Sequence, residues 1–253
     1  MNWKQKCSGK TLISLLIKDI HPEWQPFIKK EAKEEYFKQM YRDLKQEISQ
    51  ATNDFFPEPE NCFRIFRYPL SNIKVIILGQ DPYYRYSRVK NTDGDIIEVP
   101  QACGLAFSVT PPVPAPVSLR NIYKELSSDP NVDFKRPGRL GDLSPWTLQG
   151  VCLLNSALSV NNGKPGSHLK IWIKLTDRII RYLSEQGNKV FMLWGSFAQK
   201  KESLIDQSKN KIIKTSHPSG LSAHKGFLGS KCFSQCNNWL ELQGLDVIDW
   251  NII

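Results

Sequence analysis

No apolar run in the sequence approaches the ~18 residues that a membrane-spanning helix requires, so no transmembrane segment is predicted. Cysteine is sparse and scattered. Cys7, Cys62, Cys103, Cys152, Cys232 and Cys236 include no CxxC pair, which argues against a disulfide framework and against a zinc site. Cys232 and Cys236 share a helical face, but no second pair of ligands lies near them in sequence. The N-terminal stretch Met1-Asn-Trp-Lys-Gln-Lys6 lacks the apolar core and small-residue cleavage site of a signal peptide. An intracellular, reducing compartment is therefore expected, and secretion is not. Repeats, low-complexity tracts and linker-like composition are also missing, so nothing divides the chain into separate units.

What is present suits a substantial core. The chain has 253 residues, 40% of them hydrophobic, and reads as one domain over 1–253 with a helical N-terminal region over 1–50. In that region Leu12, Leu15, Leu16 and Ile20 recur at helical spacing, and Glu31 to Ile48 is a charged amphipathic run. The formal net charge is +9. An excess of that size points to a polyanionic partner, nucleic acid being the commonest, although a solvated lysine-rich surface accounts for it equally well.

The strand signals are sharper. Val75 to Leu78 is a short apolar run rich in β-branched residues, stopped by Gly79 and followed by Gln80-Asp81-Pro82. Two further runs have the same form, Val151–Leu154 ending in Asn155-Ser156 and Val190–Trp194 stopped by Gly195-Ser196, and Lys211–Thr215 reads as a fourth strand, ending in Ser216-His217-Pro218. Helical patterns alternate with them: Leu119–Leu126 capped by Ser118, Trp172–Leu183, Phe197 to about Ile205, and Ser230–Leu242. This alternation predicts an α/β fold, three-layer α/β/α, with a central four-stranded parallel sheet. The proline-rich stretch Thr110 to Leu119 is expected to be rigid and polyproline-like. Arg136 to Arg139 reads as a loop. The polar segment 85–103 carries an Asp93-Gly94 turn signal and is expected to be a small hairpin or a mobile loop.

In a parallel sheet the strand ends share one edge, where open α/β sheets bind their ligands. Asp81, Asn155 and His217 fall there together. A carboxylate can orient water or stabilise positive charge, an amide offers a donor and an acceptor to one planar ligand, and a histidine can stabilise an anion or move a proton. Taken singly, each also fits a plainer role: Asp81 can cap a turn, Asn155 can end a strand, and His217 can satisfy a buried loop.

These residues carry a resemblance to the family 1 uracil-DNA glycosylases. Gly79-Gln-Asp-Pro-Tyr83 resembles the family's water-activating loop, Gly104-Leu-Ala-Phe-Ser108 its uracil-stacking segment and Pro112 to Ser118 its proline-rich DNA loop. Leu153-Leu-Asn155 resembles its uracil-recognition strand, Leu193-Trp-Gly-Ser196 its Gly-Ser loop and His217 to Gly226 its leucine-intercalation loop. The likeness runs in consistent order from about Trp24 to Trp250.

The resemblance implies excision of uracil from DNA, with Asp81 and His217 catalytic. It implies substrate contacts from Gln80, Tyr83, Phe107 and Asn155. DNA contacts would come from Pro114, Ser118, Gly195, Ser196, Ser219, Leu221, Ser222 and Lys225. It further implies single- or double-stranded uracil-containing DNA as partner, a monomer, no membrane, and no metal or other cofactor. The compartment would be the cytoplasm of a bacterium, or the nucleus or mitochondrion of a eukaryote. A non-catalytic DNA-binding or replication-accessory protein on the same fold is the alternative. Several positions depart from the family pattern. Tyr84 stands where a histidine is usual, and segment 85–103 is longer than usual. Gly220 replaces a common proline, and His224-Lys225 replaces a Tyr-Arg pair.

Overall fold

The computed structural model describes residues 3–7, 11–138 and 140–252. Arg139, the last residue of the loop expected from Arg136, lies outside them, as do Met1 and Asn2. The strands are β1 (Phe55–Phe56), β2 (Val75–Gly79), β3 (Tyr86–Lys90), β4 (Ile96–Pro100), β5 (Val151–Asn155), β6 (Val160–Asn161), β7 (Val190–Trp194) and β8 (Lys211–Thr215). Four of them form a parallel sheet in the order β5-β2-β7-β8, flanked by helices as expected.

Every residue of β2, β5 and β7 is buried, the pattern of strands covered on both faces. β8 ends the sheet and alternates instead. Lys211 and Lys214 face outward while Ile213 and Thr215 are buried, and charge on the outer strand discourages further pairing. The register aligns the strand ends: Gly79 lies opposite Asn155, and Trp194 lies opposite Thr215.

The long flanking helices are Glu35–Gln50, Val117–Ser128, Leu169–Glu185 and Cys232–Leu242. Each turns an apolar stripe inward, such as Trp172, Leu175, Ile179, Ile180 and Leu183 on the third. One continuous core runs from Trp3 to Ile252. The C-terminal segment is fastened to it by Trp250, whose carbonyl accepts from Trp146 Nε1 at 2.8 Å.

Several boundaries differ from the sequence reading. The run Glu31–Ile48 is divided into Gln25–Glu31 and Glu35–Gln50, and the Glu31 side chain turns inward at the break. There it accepts from Tyr36 Oη at 2.5 Å and from Arg178 Nη2 at 2.9 Å. Ser118 is not a cap. The helix begins at Val117 with Pro116 before it, whose fixed φ of −65° and missing N–H suit that position. The proline-rich stretch is not one extended run: Pro111-Pro112 is a cis peptide, and Val113 N donates to Thr110 O at 2.9 Å, closing a turn. The helix after β7 is short, Gly195–Gln199, followed by a separate 3-10 turn at Glu202–Leu204.

Segment 85–103 is a paired hairpin, with β3 and β4 in register from Tyr86↔Pro100 to Lys90↔Ile96. Asn91 closes its turn by accepting from Asp93 N at 3.0 Å and Asp95 N at 2.8 Å. The hairpin's root rests on a second, smaller cluster of Phe56, Ala102 and Val160, against which Tyr83, Tyr84 and Tyr86 pack.

Gly79 is fixed by space. A Cβ there would lie 2.2 Å from Asn155 Oδ1. Gly79→Ala should therefore destabilise the fold by ~1–3 kcal/mol, the usual cost of overpacking, read as a lower midpoint in urea unfolding. An unchanged midpoint would mean that the contact yields freely.

Candidate active site

At the carboxyl edge of the sheet lies a cavity of about 250 Å³. Gln80, Asp81, Tyr83, Phe107, Ser118, Asn155 and His217 all contribute to its wall. Its depth comes from β2 and β5: Asn155 is buried, and its side chain lies over the bare Cα of Gly79.

Asp81 is half-buried. Its Oδ2 accepts from Gly166 N at 3.1 Å and from Gln80 Nε2 at 2.8 Å. Its Oδ1 is buried and has no hydrogen-bond partner among the described residues. Burial raises its pKa above the ordinary 3.8, while the bonds from Gln80 and Gly166 pull it back. Asp81 thus acts as more than a local cap: its tie to Gly166 spans 85 positions of sequence.

His217 is set by its own loop. Ser219 N donates to Nδ1 at 3.0 Å, which makes Nδ1 an acceptor and leaves the proton of the neutral ring on Nε2. Burial lowers its pKa from 6.5, so the neutral form prevails at neutral pH. The ring fits because Gly195, at φ +85°, has no Cβ; one would come within 2.8 Å of His217 Cβ.

Phe107 forms a flat wall. Its φ of +64° is costly for a residue with a side chain. Its ring lies 5.2 Å from Trp194 and 5.8 Å from His217, centroid to centroid. Tyr83 Oη donates to the Phe107 carbonyl at 3.4 Å, joining the two.

Of the remaining expected residues, Gly195 and Ser196 line an adjoining cleft of about 260 Å³ that shares Gln80 and His217. Pro114, Ser219, Leu221, Ser222 and Lys225 lie outside the cavity wall. Leu221 is 85% exposed at the tip of its loop. That loop is tightly laced: Ser222 Oγ donates to His217 O at 2.8 Å and pairs with Ser219 Oγ at 2.8 Å.

Sequence reasoning missed the residues that hold this arrangement. Gly166 holds Asp81 through its backbone N–H, which no side chain announces. Asn121 Nδ2 donates to Pro218 O at 2.8 Å, and the buried Glu125 accepts from Lys231 N at 2.6 Å and Gly229 N at 2.5 Å. The one signal for Asn121 and Glu125 was their four-residue spacing on a helix whose buried apolar residues are Leu119, Ile122, Tyr123 and Leu126. Among the described residues, no group of three or more His, Cys, Asp or Glu side chains is arranged to hold a metal ion.

The sequence profile of the Uracil DNA glycosylase superfamily matches residues 66–241. The chain belongs to that superfamily. A uracil-DNA glycosylase of Pectobacterium carotovorum subsp. carotovorum is 46% identical over 231 residues, covering 90% of this chain and 94% of that one. One from Pediococcus pentosaceus is 44% identical over 238 residues, covering 93% and 96%. Among solved structures, the crystal structure of mimivirus uracil-DNA glycosylase superposes with a TM-score of 0.86 at 30% identity, covering 98% of this chain and 92% of that one. A variant of that mimivirus protein, crystallised in complex with UGI, superposes with a TM-score of 0.83. The superfamily's matched span takes in the ends of all four strands of the parallel sheet.

The protonation state of His217 is open to direct measurement. The imidazole should titrate below 6.5 and carry its proton on Nε2 near neutral pH, as read by ¹⁵N-resolved NMR of the ring. An Nδ1–H tautomer, or a titration at or above 6.5, would contradict the Ser219 hydrogen bond or the burial.

Proposed function

We propose that the chain hydrolyses the N-glycosidic bond of uracil in DNA. It would release free uracil and leave an abasic site, the first step of base-excision repair. One observation carries the assignment of roles. One cavity holds a buried carboxylate oxygen without a partner among the described residues, a neutral histidine with its proton on Nε2, and an amide seated over a glycine.

The uracil nucleotide enters extrahelically, because its glycosidic bond is out of reach within the stack. Phe107 stacks on the base, Asn155 pairs with its amide edge, and Tyr83 occupies the space that a thymine methyl would need. As the C1′–N1 bond breaks, its electron pair goes to the base and positive charge develops on the sugar. His217 Nε2–H and the Gln80 backbone N–H stabilise the uracil anion. Asp81 stabilises the cationic sugar. Its Oδ1 orients the attacking water and takes the proton as the water oxygen bonds to C1′. Pro114, Ser118, Gly195, Ser196, Ser219, Ser222 and Lys225 contact the DNA backbone, and Leu221 wedges into the stack that the base has left. The chain acts as a single domain and a monomer, on single- or double-stranded DNA, inside the cell.

With chelator present, a uracil-containing oligonucleotide should accumulate abasic sites and a thymine-mismatched one should not. Asp81→Asn and His217→Leu should each slow release by about 10²–10³-fold while leaving DNA binding in place. Full activity in either variant would refute its role, and no release by the parent protein would favour the non-catalytic accessory reading.

The exposed Gly220 beside Leu221 leaves the wedge freer than a proline would. Gly220→Pro should therefore raise the rate on double-stranded relative to single-stranded uracil DNA. An unchanged ratio would separate wedge stiffness from duplex preference.

A further inference from the structure

Where β2 leaves the cavity, Tyr84 lines its wall and the next residue, Arg85, is exposed. The Arg85 guanidinium lies over the Tyr84 ring, 5.5 Å from its centroid. Among the described residues no carboxylate is within ion-pair distance of Arg85, whereas Arg88 on the same hairpin faces Glu98 at 3.6 Å. The backbone beneath is pinned on both sides. Tyr84 O accepts from Gly163 N at 2.9 Å, Arg85 O accepts from Gln101 N at 3.1 Å, and Gln101 O accepts from Thr110 N at 3.0 Å. The root of the hairpin is therefore a stiff part of the cavity rim.

We propose that Arg85 binds a phosphodiester of the DNA strand entering the cavity, with Tyr84 holding its guanidinium in position. The ring attracts the guanidinium as a cation–π partner, and with no carboxylate within ion-pair distance among the described residues its N–H groups can grip phosphate oxygens in pairs. Lysine offers no planar group that can do both. The ring contact and the pinned backbone beneath it restrict the side chain before DNA arrives, which lowers the entropy lost on contact. The chain carries a formal net charge of +9, but Arg85 combines an uncompensated charge, a fixed root and a place at the cavity mouth. This contact rests on the uracil-excision reading for its place in catalysis, although not for its detection.

The test is fluorescence anisotropy with uracil-free single-stranded and duplex oligonucleotides, titrated across salt concentrations. Arg85→Ala should weaken binding on the order of 10-fold and reduce the slope of log K against log salt by about 0.7–0.9. Arg85→Lys should keep the slope at lower affinity, and so should Tyr84→Leu, which leaves the charge but removes its platform. In uracil release, Arg85→Ala should raise KM with little change in kcat, the mark of binding shared by ground and transition states. An unchanged salt slope in Arg85→Ala would overturn the proposal. So would an equal loss of slope in Arg88→Ala, which would make the effect a diffuse field of the hairpin. Because binding is read on uracil-free DNA, a protein that fails to release uracil but loses slope in Arg85→Ala refutes the excision reading alone.

Discussion

Parallel pairing of β2 between β5 and β7 is the constraint on which the site depends. In-register parallel strands deliver their carboxyl ends to one edge, so Asp81, Asn155 and the Gly195 turn emerge together without any long loop to place them. The pairing of Gly79 with Asn155 makes the arrangement tighter still, since the amide occupies the volume that a side chain at Gly79 would take. His217 reaches the same edge from β8, one strand further out, and fits only because Gly195 leaves room for it. Two missing side chains thus define where the Asn155 amide and the His217 ring can be.

Burial acts on the two titratable groups in opposite senses. Desolvation penalises the charged form of either, so it raises Asp81 and lowers His217. For His217 this favours the state that donates a hydrogen bond without carrying a full charge. For Asp81 it works against the ionised state, and the hydrogen bonds from Gly166 and Gln80 oppose it. The site therefore needs structure well beyond its own strand. The left-handed backbone of Phe107 is a cost of the same kind, held in place by the packing of its ring on Trp194.

Much of this was legible in the sequence, for identifiable reasons. The three strands buried on both faces need unbroken apolar runs, and all four strands end in glycine or a polar turn, so their positions and their shared edge could be read directly. Irregular segments were read less well. The proline-rich stretch looked extended because proline fixes φ, yet a cis peptide turns it. Ser118 looked like a cap because serine often is one, yet Pro116 already begins the helix. The supports of the site were not legible, because they act across long separations. Gly166 reaches Asp81, and Glu125 reaches Gly229 and Lys231, through backbone N–H groups that carry no residue-type signature.

The small cluster of Phe56, Ala102 and Val160 lies apart from the main core and carries the root of the 86–100 hairpin. Tyr83 and Phe107, cavity residues on either side of the hairpin in sequence, are joined to each other by a hydrogen bond. The span between them can therefore lengthen or shorten at the Asn91 turn while neither end moves. Chain length at this point is decoupled from the geometry of the cavity.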